Sequence, residues 1–369
     1  MLLKFQVKNF KQFENLELDF QNVRDYIINK DCLTKNSNVL KTLLVYGPNA
    51  SGKSNLGLAI FDIVQHLFDH KTDPSAYAYY LNADNPQEPA SFSYTFKFGK
   101  TVVRYDYSKL SFKKIVAEAL YINDKLVFSL DKRTQQQDFS HLKDWGLSSL
   151  NNLFKDEDMS FLRYAANNAN LKENSAIFKL MNFVSSMLWF RRADAGNNFI
   201  GLHNRIENID QYIVDNELLE KYEAFLGQYG VDEKLEVIEL PDKKVIYSKH
   251  KQKLPFFAIM SSGTSALSIL FYWSCFFQQT SFIFIDEFDA FYHAKVSEDV
   301  FKFLKTLKQQ VVLTTHNTNL LDNSITRADC CFELSKGVLK SLADRTSREI
   351  RAGNNIEKLY LAGEFDSDV

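Results

Sequence analysis

Nine consecutive residues, Gly47, Pro48, Asn49, Ala50, Ser51, Gly52, Lys53, Ser54 and Asn55, carry the spacing of a loop that can cradle phosphate. Gly47 and Gly52 let the backbone curl until successive N–H groups point inward at phosphate oxygens, and a helix starting behind them adds its positive end. Lys53 can reach the β- and γ-phosphates, and the Ser54 hydroxyl can bind Mg²⁺. Leu43 to Tyr46 read as a buried strand feeding the loop, and Leu56, Ile60, Ile63 and Leu67 recur at helical spacing behind it. Strand, loop and helix in that order predict a nucleoside triphosphate site.

Three further stretches complete such a site. Phe282 to Ile285 form an apolar strand ending in Asp286 and Glu287, where ligands bind in a parallel sheet. Asp286 is expected in the Mg²⁺ shell, and Glu287 is expected to orient and deprotonate an attacking water. A third strand, Val311 to His316, delivers a histidine that can donate to a γ-phosphate. Ahead of the acid strand, Met260-Ser-Ser-Gly-Thr-Ser-Ala266 precedes an apolar run from Leu267 to Phe277, so Ser262 and Gly263 open a helix as another anion-binding N-terminus.

The elements that must position these residues can be followed along the chain. Alternation at Leu3, Phe5 and Val7 and at Leu16, Leu18 and Phe20 predicts an opening β-hairpin whose turn spans Asn9 to Asn15. After the first helix, alternating runs at Phe92–Phe98, Val102–Tyr107, Ile115–Ile122 and Leu126–Leu130 predict an antiparallel meander. From His141 to Tyr229 the pattern is helical, with one stripe through Ile177, Leu180, Met181, Val184, Met187 and Leu188 and a second through Leu218, Leu219, Tyr222 and Phe225. A hairpin over Leu235–Leu240 and Lys244–Ser248 carries a basic run, Lys243, Lys244, Lys249, His250, Lys251 and Lys253, which is a nucleic-acid contact or a solvated face.

Composition bounds the rest. At 369 residues with 45% apolar content the chain supports a large core, and its formal charge of −2 leaves nucleic-acid binding to a local basic patch. Cys32, Cys275, Cys330 and Cys331 lack metal spacing and the density of a disulfide framework. No apolar run approaches a membrane span, so no membrane partner and a cytoplasmic setting are expected.

Taken in order, the phosphate loop, Ser-Ser-Gly-Thr, Asp286-Glu287 with Asp289 beyond, and Thr-Thr-His316-Asn317 resemble the motifs of ABC-type ATPase heads. The opening Asn9-Phe10-Lys11-Gln12-Phe13 is similar to the SMC-like group. With Glu287-Phe-Asp-Ala-Phe-Tyr-His293 and the tail Gly353 to Phe365, the chain resembles stand-alone ATPases of bacterial anti-phage and abortive-infection systems, such as those of PARIS, Septu and RloA-type loci. The resemblance implies an α/β fold: an ABC-type, SMC-like P-loop ATPase head with an antiparallel β-meander lobe and an inserted helical subdomain. It places an N-terminal lobe at 1–140, a helical insertion at 141–230 and a C-terminal lobe at 231–369. It implies ATP and Mg²⁺ as cofactors, with Asp286 as the metal acid, Glu287 as the base, His316 sensing the γ-phosphate and Lys11 adding a nucleotide contact. Ser262 and Gly263 would close on the ATP of a second subunit, with Asp289 at the seam, so a homodimer or a higher assembly is the expected unit. The bridging glutamine usual in that family has no clear counterpart, since Gln65 falls inside the first helix.

The function that follows is a slow ATP-driven switch that dimerises on ATP and controls a separate effector, such as a nuclease or toxin, in antiviral defence. Only 53 residues follow His316, too few for a fused nuclease domain. A RecF-like DNA-repair clamp is the alternative, and near-neutral charge counts against it. A non-hydrolysing scaffold is a third reading, opposed by Glu287.

Overall fold

A computed structural model describes residues 1–35, 38–68, 74–147, 159–193, 196–202, 208–348, 350–351 and 353–365. Strands β1 (Leu2–Phe10) and β2 (Phe13–Asp19) form the opening hairpin. Phe10 stands opposite Phe13, so Lys11 and Gln12 alone make the turn. The turn expected over Asn9 to Asn15 is thus shorter, because both rings are buried and pairing continues until they are inside. Strand β3 (Thr42–Tyr46) leads through the phosphate loop into α1 (Lys53–Leu67). Strands β4 (Ala90–Phe98), β5 (Thr101–Lys109), β6 (Ile115–Ile122), β7 (Lys125–Asp131) and β8 (Gln136–Asp138) then form the meander. Hairpin and meander are one antiparallel sheet, ordered β2-β1-β4-β5-β6-β7-β8, with Phe5 opposite Tyr94 and Val7 opposite Phe92.

Helices α2 (Phe161–Asn168) and α3 (Ala176–Ser185) follow, then strands β9 (Met187–Ala193) and β10 (Gly196–Gly201), then helices α4 (Ile209–Asp215) and α5 (Leu219–Gln228). The helical reading of 141–230 therefore fails at Met187 and Leu188. They leave the helix and enter β9, which pairs in parallel with a core strand. The part over 148–158 lies outside the described residues. The remaining elements are β11 (Leu235–Glu239), β12 (Lys244–Ser248), β13 (Leu254–Pro255), α6 (Phe256–Ile259), α7 (Ser262–Ser274), β14 (Phe282–Ile285), α8 (Ala294–Lys305), β15 (Gln310–Thr314), β16 (Cys331–Ser335), β17 (Val338–Ser341) and α9 (Ile356–Leu361). Strand β15 stops two residues before His316, which stands in the following loop.

The second sheet runs β10-β9-β14-β15-β3-β16-β17, parallel from β9 to β16 and closed by an antiparallel strand at each edge. Its central strands read as unbroken apolar runs because both faces are covered. Leu43, Val45, Phe282, Phe284 and Val312 face α1 and the antiparallel sheet, while Leu44, Tyr46, Ile283, Ile285, Val311 and Leu313 face the helices of the other side. Helix α1 is the filling between the two sheets, which is why 12 of its residues are buried instead of one stripe. Gly57 lets it seat there, since a Cβ would meet the Trp189 indole at 2.6 Å and the Phe284 ring at 2.9 Å.

Inside that layer lies a buried polar cluster. Asp62 of α1 accepts from Tyr107 at 2.8 Å, Tyr80 at 2.7 Å and the Lys109 ammonium at 2.7 Å. Burial pushes Lys109 down, and Asp62 opposes the shift. Removing one member of a buried pair strands the other, which costs about 3–5 kcal/mol. Lys109→Met is accordingly expected to destabilise the fold by that amount in urea titration. The double variant with Asp62→Asn should recover part of the loss.

Half of the basic run near 243–253 is paired by nearby glutamates. Lys253 meets Glu236 at 3.0 Å, Lys244 meets Glu239 at 3.9 Å, and His250 stands 2.9 Å from Glu233. Lys243, Lys249 and Lys251 of the run have no carboxylate partner among the described residues.

Candidate functional site

The C-terminal ends of β3, β14 and β15 converge, and each delivers a polar segment. At β3 the loop needs one glycine for reasons of space, Gly47, and another for its backbone angle, Gly52. A Cβ on Gly47 would lie 2.4 Å from the Leu334 carbonyl oxygen, and one on Gly52, at φ +102°, would lie 2.0 Å from the Gln12 side chain. Ala50 takes a left-handed conformation, at φ +63°, to complete the curl. Helix α1 then starts at Lys53 with its N-terminus toward the loop.

Strand β14 ends at Ile285, and its acids are fixed from both sides. The Thr314 hydroxyl donates to Asp286 Oδ1 at 2.6 Å and accepts the Glu287 N–H at 2.7 Å, tying β14 to β15. On the β9 side, the Asp286 N–H reaches the Phe190 carbonyl at 3.0 Å. Asp286 Oδ2 is buried without a hydrogen-bond donor, and Arg191 Nη1 of β9 stands 3.6 Å from it. Glu287 is held at φ +51°, a conformation that costs a non-glycine residue about 1–3 kcal/mol and marks functional positions.

These pieces enclose a cleft of about 330 Å³ lined by Gln12, Asn49, Ala50, Gly52, Lys53, Ser54, Asn55, Glu287 and His316. The Lys53 ammonium donates to the carbonyls of Gly47 at 2.8 Å and Pro48 at 3.0 Å, and lies 3.3 Å from His316 Nδ1. Burial pushes Lys53 down, against the pull of Asp286 and Glu287. Burial and the Lys53 charge push His316 down as well, so its imidazole is neutral at pH 7. With its proton on Nε2, the neutral ring would accept from Lys53 at Nδ1 and keep an N–H donor on Nε2.

The donor set suits a Mg²⁺ nucleotide. Backbone N–H groups and an ammonium could meet the phosphates, while the hydroxyl of Ser54 and the Asp286 oxygen that accepts no hydrogen bond among the described residues could serve as hard oxygen ligands. The buried Ser51 hydroxyl also lacks a partner.

Other anticipated residues stand apart from this cleft. Lys11 sits in the hairpin turn with its ammonium on the Ala78 carbonyl at 2.9 Å, and its neighbour Gln12 is the one that reaches the loop. Ser262 and Gly263 begin α7 behind the Ser261 cap, with Ser262 exposed and Gly263 packed on the Phe291 carbonyl. Asp289 is buried and accepts from Thr315 at 2.7 Å. Residues missed from sequence are Gln12, Arg191, Thr314 and Thr315. Thr314 and Thr315 lay within a quoted motif, whereas Arg191 gave no local signal.

Burial pushes the Asp289 carboxyl up to about 6. A carboxyl raised on folding costs stability as pH climbs past its unfolded value near 3.9, and the cost is complete above the folded one, here up to about 3 kcal/mol. Asp289→Asn should therefore be more stable than the native chain at pH 8, and the gain should vanish at pH 4. Thermal melts across that range check the sign.

Among the described residues no helix is long and apolar enough to cross a membrane. The solved structures similar to this chain include "Crystal structure of the SmcHead bound to the C-winged helix domain of ScpA", at 16% identity over 92% of this chain and 96% of that one, with TM-score 0.45. Also similar are the "SMC head domain from Thermotoga maritima", at 15% identity over 92% and 97% with TM-score 0.42, and the recombination mediator protein RecF with ATPrS, at 14% over 93% and 98% with TM-score 0.41. No curated protein matches the chain. Residues 43–322 match the family model described as "AAA domain, putative AbiEii toxin, Type IV TA system", and the chain belongs to that family.

Proposed function

We propose that the protein binds Mg²⁺-ATP in the cleft, pairs with a second copy of itself across the nucleotide, hydrolyses ATP slowly and thereby controls a separate effector, such as a nuclease or toxin, in bacterial antiviral defence. The observation that carries the ATPase part is the convergence of Lys53 and Ser54, Glu287 and His316 on one cleft from three strand ends. The toxin system named in the family description supports the defence setting.

In this reading the loop N–H groups and Lys53 hold the β- and γ-phosphates, and Ser54 and Asp286 hold Mg²⁺. The metal, when bound, neutralises phosphate charge and orients the γ-phosphate. Glu287 takes the proton of the attacking water as the water oxygen bonds to the γ-phosphorus and the bond to ADP breaks. His316 Nε2–H donates to a γ-phosphate oxygen, and Gln12, against Gly52 and hydrogen-bonded to Asn55, shapes the outer wall. Exposed Ser262 is flanked by Ile259 and Phe291, which are 50% and 37% exposed, an apolar rim suited to a second copy. Light scattering on the Glu287→Gln variant with Mg²⁺-ATP tests the pairing: a doubled mass is expected, and an unchanged mass at high ATP would remove the dimer. Mass spectrometry of what co-purifies from the native host should find a stoichiometric nuclease or toxin.

A further inference from the structure

The parallel strands start at the end of their sheet remote from the phosphate loop, and there the chain forms a second, larger cleft of about 1230 Å³. Several cations in its wall are already committed. The Lys41 ammonium donates to the carbonyls of Lys305 at 2.7 Å and Leu307 at 2.9 Å, and Lys305 meets Asp31 at 3.1 Å. Arg327 forks onto Asp329 at 2.7 and 2.8 Å, and Arg24 shares Asp344.

Lys30, Lys35 and Lys97 line the same cleft and have no carboxylate partner among the described residues, while Asp25 is its one uncommitted acid there. Three free lysines against one aspartate make a positive site in a chain whose formal charge is −2. A second observation points the same way. Arg327 is fully buried in the cleft wall, and among the described residues its Nη1 has no acceptor. A buried cationic N–H without an acceptor costs free energy, and an anion in the cleft would lower the local positive potential.

We propose that this cleft is a second anion site, for a ligand that presents two or three neighbouring phosphates, supplied either by a free polyphosphate or by a short nucleic-acid backbone. Lys30, Lys35 and Lys97 meet the phosphates as solvated point charges, so binding weakens steeply with salt. The site is separate from the nucleotide cleft, which opens at the other ends of the same strands.

Calorimetric titration of the full chain with sodium tripolyphosphate tests the site. Two binding events are expected in the native protein. The combined Lys30→Glu, Lys35→Glu and Lys97→Glu variant should lose one of them at least tenfold, and Lys53→Ala should lose the other. Lys35 is exposed, so Lys35→Glu alone keeps the fold and should still weaken the cleft event about threefold. Anisotropy with fluorescein-labelled dT12 separates the sources. Binding whose log K falls with log salt at a slope of about −2, and which the triple variant removes, identifies a nucleic-acid strand. Tripolyphosphate binding without dT12 binding identifies a free polyphosphate. A single native event that vanishes in Lys53→Ala and survives in the triple variant, with no dT12 binding, overturns the proposal.

Discussion

Lys53→Ala is expected to weaken ATP binding by about 10²- to 10⁴-fold, enough to abolish it at millimolar nucleotide. The ammonium sits at the mouth of the loop with its donors on the Gly47 and Pro48 carbonyls and its charge beside Asp286 and Glu287. On binding, those donors exchange loop carbonyls for phosphate oxygens, and each charge-assisted hydrogen bond is worth about 1.5–3 kcal/mol. Two such bonds account for the expected loss at roughly 1.4 kcal/mol per tenfold. The fold should survive, because Lys53 lies at the first turn of α1 and, of the two carbonyls it leaves, that of Gly47 is buried but that of Pro48 is only partly so. Native protein should gain about 2.7 kcal/mol of apparent stability at a hundred times its Kd for ATP, whereas the variant should gain none. Unchanged affinity in the variant would sink the phosphate-loop assignment.

The phosphate loop was legible because every residue it needs is consecutive, and Asp286 was legible because one apolar strand leads straight into it. What escaped was non-local. Arg191 reaches Asp286 only because β9 lies beside β14, a pairing between residues almost a hundred positions apart. The same pairing explains the misread stripe. Met187 and Leu188 continue the spacing of α3 and are equally apolar as strand residues, so period alone could not assign them before β14 was known to be their neighbour. The basic hairpin drew attention because its lysines are close in sequence, and glutamates on the partner strand pair with two of them. The second cleft drew none, because its lysines come from separate segments that only the fold assembles.

Glu287→Gln is expected to cut ATP turnover by about 10²- to 10⁴-fold while leaving ATP affinity intact, the usual range for loss of a general base. The amide keeps the shape of the side chain, and the backbone N–H at 287 still reaches the Thr314 hydroxyl, so Asp286 and the β14–β15 clamp stay in place. Glu287 also sits at φ +51°, where a glycine is at ease and a glutamate is strained. Glu287→Gly is therefore expected to lose turnover to the same extent yet to melt higher than either the native chain or Glu287→Gln, by about 1 kcal/mol or more. The pair of variants separates two reasons for a residue to occupy this place. If the strained backbone holds a base against the γ-phosphate, both substitutions lose activity and only the glycine gains stability. If Glu287→Gln turns over ATP at the native rate, the carboxylate is no base and the strain has another purpose; if the native chain itself shows no turnover, the protein uses ATP to join two copies without consuming it.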